Sequence, residues 1–192
     1  MGEILERPQA PLRHRLDVGA YYKMAEAGIL TQNDRVELID GEIFDMTPIG
    51  SAHAGKTNRL NRLFARAAAE GLAVVSVQSP LALDAYNQPE PDLMLLRSRE
   101  DDYQDRHPTA ADVLLLVEVA ESSLNYDRGT KLALYARFSV PEVWIVDLLG
   151  AAVEVYREPK EGGYPVCERL TSGALAPLLV PGAEIDVSAF LA

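Results

Sequence analysis

The segment from residue 112 to residue 138 carries the clearest hydrophobic pattern of the chain. An apolar run from Val113 to Val117, continued after Glu118 by Val119 and Ala120, predicts a buried β-strand. A helix is predicted from about residue 127 to residue 138. Its packing residues are predicted to be Leu132, Leu134, Tyr135 and Phe138.

The N-terminal part of the chain is predicted to form a short helix and a β-hairpin. Asp17 is a candidate N-cap for a helix that ends near Gly28. Residues 35–47 are predicted to form the hairpin, with VELID before and EIFDM after the turn at Asp40-Gly41, a pair typical of hairpin turns. Residues 1–15, which contain two prolines, are predicted to be a flexible tail.

A long helix is predicted over residues 51–70, ended by Gly71. Helical spacing places His53 on the inward side, where it is either a core histidine or a supporting residue of a site. The predicted packing residues of this helix are Leu60, Leu63, Phe64 and Ala67.

Several further strands follow the long helix. They are predicted over residues 73–83 (as one or two strands), 93–96, 142–148 and 151–158. Helices and strands in this order indicate an α/β fold with a central mixed β-sheet flanked by helices, and residues 16–192 are predicted to form one domain. The hydrophobic fraction of 48% is typical of a globular chain.

Charge and motifs exclude several functional classes. The formal net charge of −11 argues against a non-specific nucleic-acid binder, although a phosphate-binding cleft needs only local cations. The single cysteine, Cys167, predicts neither disulfides nor a thiolate zinc site. No phosphate-binding loop, dinucleotide fingerprint, leader or membrane-spanning run is present, so we expect a cytoplasmic protein without a nucleotide cofactor.

Glu118 is the most informative single residue. A carboxylate within a buried strand costs several kcal/mol unless a cation or hydrogen-bond donors compensate it. Lys131 lies thirteen positions later, near the start of the predicted helix, where the helix dipole disfavours a cation. These two charges, both placed against local preference, indicate a site.

Two further acids stand on apparent strands, Glu37 in the hairpin and Asp92 after Pro91. Carboxylates on neighbouring strands are the hard oxygen ligands that Mg²⁺ or Mn²⁺ prefers. A nearby lysine can orient a nucleophile or neutralise charge in the transition state. Gln78, on an adjacent strand, is a candidate supporting residue.

A basic stripe follows the long helix, and two interpretations of it stay open. It is either a solvated flank or a surface that faces nucleic-acid phosphates. Its members are Lys56, Arg59, Arg62 and Arg66.

The order of these residues resembles the PD-(D/E)XK nuclease superfamily. There the acid and the lysine stand at E-x-K on one strand, whereas this chain has Ala120 at the lysine's place. Over about residues 17–157 the wider pattern resembles the Uma-type family of restriction endonucleases. The residues that carry this resemblance are Glu37 in VELIDGEI, His53, Pro91-Asp92-Leu93, Glu118-Val119 with Ser122-Ser123, Tyr126-Asp127-Arg128 with Lys131 and Tyr135, and VPEVWIVD at 140–147.

The resemblance implies a restriction-endonuclease-like fold and a metal-dependent endonuclease that acts on DNA. Asp92 and Glu118 would bind Mg²⁺ or Mn²⁺, Glu37 would stand beside them, and Lys131 would replace the strand lysine. A homodimer is expected, since an enzyme of this fold must reach both strands of a duplex. Two alternatives remain: an inactive nuclease-fold module that binds nucleic acid or protein, and a structural homodimer in which the acids form a buried ion-pair network.

Overall fold

A six-stranded mixed sheet forms the centre of the protein. The structure, a computed structural model, describes residues 13–31 and 33–192, so most of the predicted N-terminal tail lies outside it. The strands of the sheet are β3 (Val74–Val77), β4 (Leu93–Leu96), β5 (Val113–Ala120), β6 (Glu142–Asp147), β7 (Ala152–Arg157) and β8 (Val166–Leu170). They lie in this order across the sheet; β5 and β6 are parallel and the other neighbours are antiparallel.

Two smaller two-stranded sheets lie beside the central one. The predicted hairpin is the first, with β1 (Val36–Ile39) antiparallel to β2 (Glu42–Asp45). The second pairs β9 (Ala174–Leu175) with β10 (Ile185–Asp186).

The helices flank the central sheet and differ in length. The longest helix of the described residues has 19 residues, Ser51–Ala69, and none of the helices there is both long enough and apolar enough to cross a membrane. The helices are α1 (Val18–Glu26), α2 (Ser51–Ala69), α3 (Leu124–Tyr126), a π-helical turn (Asp127–Lys131), α4 (Leu132–Arg137) and α5 (Val187–Leu191), with a 3₁₀ turn at Ala110–Asp112.

Successive side chains of β5 point alternately into two hydrophobic cores, one on each face of the central sheet. Leu115, Val117 and Val119 face the core that α2 covers through side chains such as Phe64. Leu116 and Ala120 face the opposite core, which α4 covers with Leu132 and Tyr135. Glu118 alternates with Val117 and Val119, so it lies on the α4 face.

The hairpin turn has the geometry that Asp-Gly favours. Asp40 and Gly41 both have positive φ angles, 51° and 76°. A Cβ at Gly41 would lie 2.6 Å from the Cβ of Arg15, and the Gly41 carbonyl accepts from the Leu16 N–H. Gly41 therefore lets residues before α1 lie against the hairpin that carries Glu37.

Three details differ from the sequence predictions. Leu63 is 38% exposed, because it lies at the edge of the buried arc centred on Leu60 and Phe64. Of the one or two strands predicted over residues 73–83, only β3 forms; it ends at Val77, and Gln78 takes a positive φ of 46°. The helix predicted from residue 127 begins at α3, three residues earlier.

Candidate functional site

A cleft opens where β4 stops pairing with β5. The register of these strands ends at Leu93 and Val117, which leaves the last residues of β5 without a strand neighbour on that side. The cleft has a volume of about 100 Å³, enough for several water molecules. The hairpin, the start of α2, the end of β5 and the π-helical turn line it.

Asp92 bridges the free edge of β5 and α2. Its Oδ2 accepts from the Val119 N–H at 2.8 Å and lies 3.0 Å from His53 Nε2. Asp92 is 8% exposed, and Oδ1 accepts no hydrogen bond from the described residues. One oxygen is thus fixed, and the other is available to a ligand in the cleft.

His53 lies in the first turn of α2 and lines the cleft, as helical spacing predicts for its inward side. Its Nδ1 is buried and has no hydrogen-bond partner in the described part of the chain. The contact of Nε2 with the Asp92 carboxyl oxygen favours a hydrogen-bond donor at Nε2. His53 is therefore placed to orient Asp92.

Glu118 is buried on the α4 side of the same cleft, 3% exposed. Its Oε1 accepts from Tyr135 Oη at 2.5 Å and from Lys131 Nζ at 3.2 Å. Burial raises the pKa of Glu118 to about 8, although the Lys131 charge opposes this shift. Without a further cation, Glu118 therefore tends to hold a proton near neutral pH.

Lys131 lies between two carboxylates, 3.2 Å from Glu118 Oε1 and 3.1 Å from Glu37 Oε2. Burial alone would lower the pKa of Lys131, but Glu118 and Glu37 outweigh it and raise that pKa above its usual value. Lys131 is consequently a permanent ammonium group. It can donate hydrogen bonds and balance negative charge, but it cannot take a proton from water.

Glu37 closes the cluster from the hairpin side and is 3% exposed. Besides Lys131, its Oε2 accepts from the Glu90 N–H at 3.2 Å. Its Oε1 accepts from Tyr126 Oη at 3.2 Å. Glu37, Asp92, Glu118 and Lys131 thus meet at one cleft, as the sequence predicts.

The Val119 carbonyl also points toward this cleft. Backbone N–H and C=O groups of one strand residue point to the same edge, and the edge alternates along the strand. The Ala120 carbonyl accepts from Leu148 N–H on the β6 side, whereas the Val119 N–H bonds to Asp92 on the other side. The carbonyl of Val119 therefore faces Asp92.

Negative charge dominates the cleft. The cations that line it are Lys131 and Arg35. Burial raises the pKa of two of its acids, Glu90 and Asp127. The carboxyl groups that line it belong to Glu37, Asp45, Glu90, Asp92, Glu118, Glu121 and Asp127. Such an excess of carboxylates favours cation binding.

Gln78 is not among the residues that line the cleft. It contacts Asp92 through the backbone, where the Gln78 N–H donates to the Asp92 carbonyl at 3.1 Å. The side chain therefore does not take the supporting place that the sequence suggested.

The basic stripe on α2 divides into two pairs. Lys56 Nζ donates to the carbonyls of Phe190 and Leu191 at 2.8 and 2.7 Å, and Arg66 pairs with Glu70. Arg59 and Arg62 form no ion pair with the described residues and line a shallow groove. This groove is the part of the stripe available to an anionic partner.

Sequence reasoning gave no site role to Tyr126, Tyr135 or Asp127. Tyr126 and Tyr135 donate to Glu37 and Glu118, and Asp127 accepts from Ser123 Oγ at 2.6 Å. Asp127 lies four residues before Lys131 and Tyr135 four residues after it, a spacing that places residues on the same side of an α-helix. This spacing could have identified Asp127 and Tyr135 from the sequence. Tyr126 lies five residues before Lys131, a spacing that does not share a face in an α-helix.

No three His, Cys, Asp or Glu side chains are grouped to hold a metal ion within residues 13–31 and 33–192. The two carboxylates that the sequence proposes as metal ligands, Asp92 and Glu118, both line the cleft, and so does Val119, whose carbonyl is a further oxygen donor. Mg²⁺ often binds through one or two carboxylates and keeps several waters, so this donor set is compatible with it.

The fold matches that of a solved protein from Anabaena variabilis ATCC 29413, described as a "putative nuclease belonging to DUF820". The two share 12% sequence identity with a TM-score of 0.71, over 92% of this chain and 99% of the other. No curated protein is significantly similar in sequence. The family model of Uma2, described as "Putative restriction endonuclease", matches residues 18–188. The chain therefore belongs to the Uma2 family and has a nuclease fold.

Proposed function

We propose that this protein is a divalent-metal-dependent endonuclease that hydrolyses phosphodiester bonds in DNA. The observation that carries the proposal is the convergence of buried Asp92, Glu118 and Lys131 at one cleft beside the free edge of β5. Membership of the Uma2 family supports the reaction class.

The residues present suit a hard cation. Asp92 Oδ1 accepts no hydrogen bond from the described residues, and the Val119 carbonyl points to the same side. Glu118 would supply the second carboxylate. A bound Mg²⁺ or Mn²⁺ supplies Lewis-acid stabilisation of phosphate charge and lowers the pKa of a bound water.

The protein side chains then have separate tasks. His53 and the Val119 N–H hold Asp92 in place. Lys131, as an ammonium, orients the attacking water or balances the charge that develops on the phosphate oxygens. Glu37 assists by fixing Lys131.

DNA would approach along α2 and the cleft mouth. Arg59 and Arg62 are the candidate phosphate contacts, because Lys56 and Arg66 already have partners. A homodimer would supply the two sites needed to cut both strands of a duplex.

One observation favours a second candidate, an inactive nuclease-fold module that binds nucleic acid or protein. Glu118 is already paired with Lys131 and Tyr135, and Ala120 stands where the strand lysine would be. Such a module would need no cation at this cleft.

Mn²⁺ binding by calorimetry distinguishes the two candidates. We expect saturable binding to the wild-type protein and none to Asp92→Asn, because the variant keeps the size of Asp92 but loses its charge. Asp112→Asn removes an aspartate that pairs with Arg106 outside the cleft and should bind Mn²⁺ like wild type. Absence of binding in all three proteins would favour the inactive module.

Mn²⁺ binding should also depend on pH. The pKa of Glu118 is raised to about 8, so below that pH the ion must displace a proton. We expect the affinity to rise by up to about tenfold per pH unit between pH 6 and pH 8, then to level off. Calorimetry in buffers of different ionisation enthalpy should show release of about one proton per ion at pH 7. A pH-independent affinity without proton release would contradict this expectation.

A further inference from the structure

The π-helical turn brings two side chains to Glu37. The Leu132 N–H donates to the carbonyl of Asp127, five residues earlier, whereas an α-helix bonds four residues earlier. In an α-helix, residues five apart point about 140° away from each other. Here Tyr126 and Lys131 both reach Glu37, at 3.2 and 3.1 Å. The π-helical turn therefore places a tyrosine hydroxyl beside the lysine of the site.

The Glu37 carboxylate is almost fully engaged. It accepts from Tyr126 Oη on one oxygen, and from Lys131 Nζ and the Glu90 N–H on the other. These contacts use three of its roughly four acceptor positions. Such a carboxylate is better suited to fix Lys131 than to receive another ligand.

The hairpin holds the Tyr126 ring as well as its hydroxyl. Phe44 on β2 lies opposite Glu37 on β1. The rings of Phe44 and Tyr126 are 5.6 Å apart between centroids, at an interplanar angle of 40°. Because ring and hydroxyl have different partners, one substitution can remove the hydroxyl and keep the ring contact.

We propose that Tyr126 is a positioning residue, which orients Glu37 so that Glu37 fixes the Lys131 ammonium at the cleft. Lys131 has two carboxylate partners, and Glu118 is also a candidate metal ligand. Once Glu118 is committed to a cation, Glu37 is the partner left to balance the ammonium. The catalytic consequence of this role rests on the proposed nuclease function, but the chain of contacts from Tyr126 to Lys131 does not.

¹⁵N NMR of the lysine ammonium groups tests the proposal without requiring activity. The chain has few lysines, and Lys131→Arg assigns the Lys131 signal. In Tyr126→Phe we expect Lys131 ammonium hydrogens to exchange with water about tenfold faster. This factor corresponds to the net free energy of one lost hydrogen bond. Glu37→Gln should change the same signal. Tyr164→Phe, which removes a hydroxyl bound to the Val140 carbonyl away from the cleft, should leave it unchanged.

DNA cleavage provides the second measurement. If the nuclease proposal holds, Tyr126→Phe should lower kcat by about 10- to 100-fold with KM unchanged, because Lys131 is misplaced while the DNA contacts remain. Unchanged Lys131 exchange in Tyr126→Phe would overturn the positioning role, whatever happens to cleavage. Faster exchange in a protein whose wild type cleaves no DNA would support the positioning role and count against the nuclease function alone.

Discussion

Asp92→Asn is expected to reduce Mn²⁺-dependent cleavage of DNA by at least about a thousandfold, which corresponds to several kcal/mol of lost transition-state stabilisation. Asparagine still accepts from the Val119 N–H through its amide oxygen, so the end of β5 keeps its contact. What it loses is the negative charge that would hold the cation. The measurement is single-turnover cleavage of supercoiled and linear DNA, with wild type and variant at equal concentration.

The control for this experiment is Asp112→Asn, which should cleave at the wild-type rate. Asp112 caps the 3₁₀ turn and pairs with Arg106 outside the cleft. Wild-type cleavage by Asp92→Asn would exclude the carboxylate site as the source of activity. An RNA substrate of the same sequence, tested in parallel, would show whether the enzyme discriminates between the two nucleic acids.

Lys131→Met is expected to lower the free energy of unfolding by about 3–5 kcal/mol, because buried Glu37 would lose its cation and buried Glu118 would lose the ammonium group as a hydrogen-bond donor. For a chain of this size, that loss corresponds to a decrease in Tm of roughly 6 to 20 °C. Urea denaturation at pH 7, followed by far-UV circular dichroism, measures it. Lys23→Met, in the exposed last turn of α1, is the matched control and should leave stability unchanged.

Adding Glu118→Gln to Lys131→Met should recover part of this loss, because only Glu37 then remains as a buried acid without the ammonium group. The double variant should still fail to bind Mn²⁺. A double variant more stable than wild type, in a protein whose wild type also binds no metal, would favour the alternative of a structural ion-pair network. Wild-type stability of Lys131→Met would show that Lys131 does not compensate the acids.

Residues whose environment is set by local pattern were predictable from the sequence. The apolar run of β5 correctly predicts that Glu118 is a buried acid. The turn residues Asp40-Gly41 correctly predict the hairpin that carries Glu37. Asp92 was a candidate because it stands on an apparent strand, and Lys131 because a cation is disfavoured near a helix start. The resemblance to the Uma-type family then implied a role for each. These acids and the lysine do meet at one cleft.

Features that depend on tertiary contacts or irregular backbone were not predictable. A π-helical turn has no periodic signature, so Tyr126 could not be placed beside Glu37. Lys56 looked like the other cations on α2, yet it binds carbonyls at the end of α5, far away in sequence. Gln78 left the predicted strand because its backbone turns to a positive φ.

Ala120 has a consequence for how relatives of this protein are recognised. It lies on the same face of β5 as Glu118 and is fully buried in the core that contains Leu132 and Tyr135. A lysine there would have to enter that core, whereas Lys131 reaches Glu118 from the helix and leaves the strand apolar. A motif search that requires lysine two positions after the strand glutamate would reject this chain, although Lys131 places an ammonium group 3.2 Å from that glutamate.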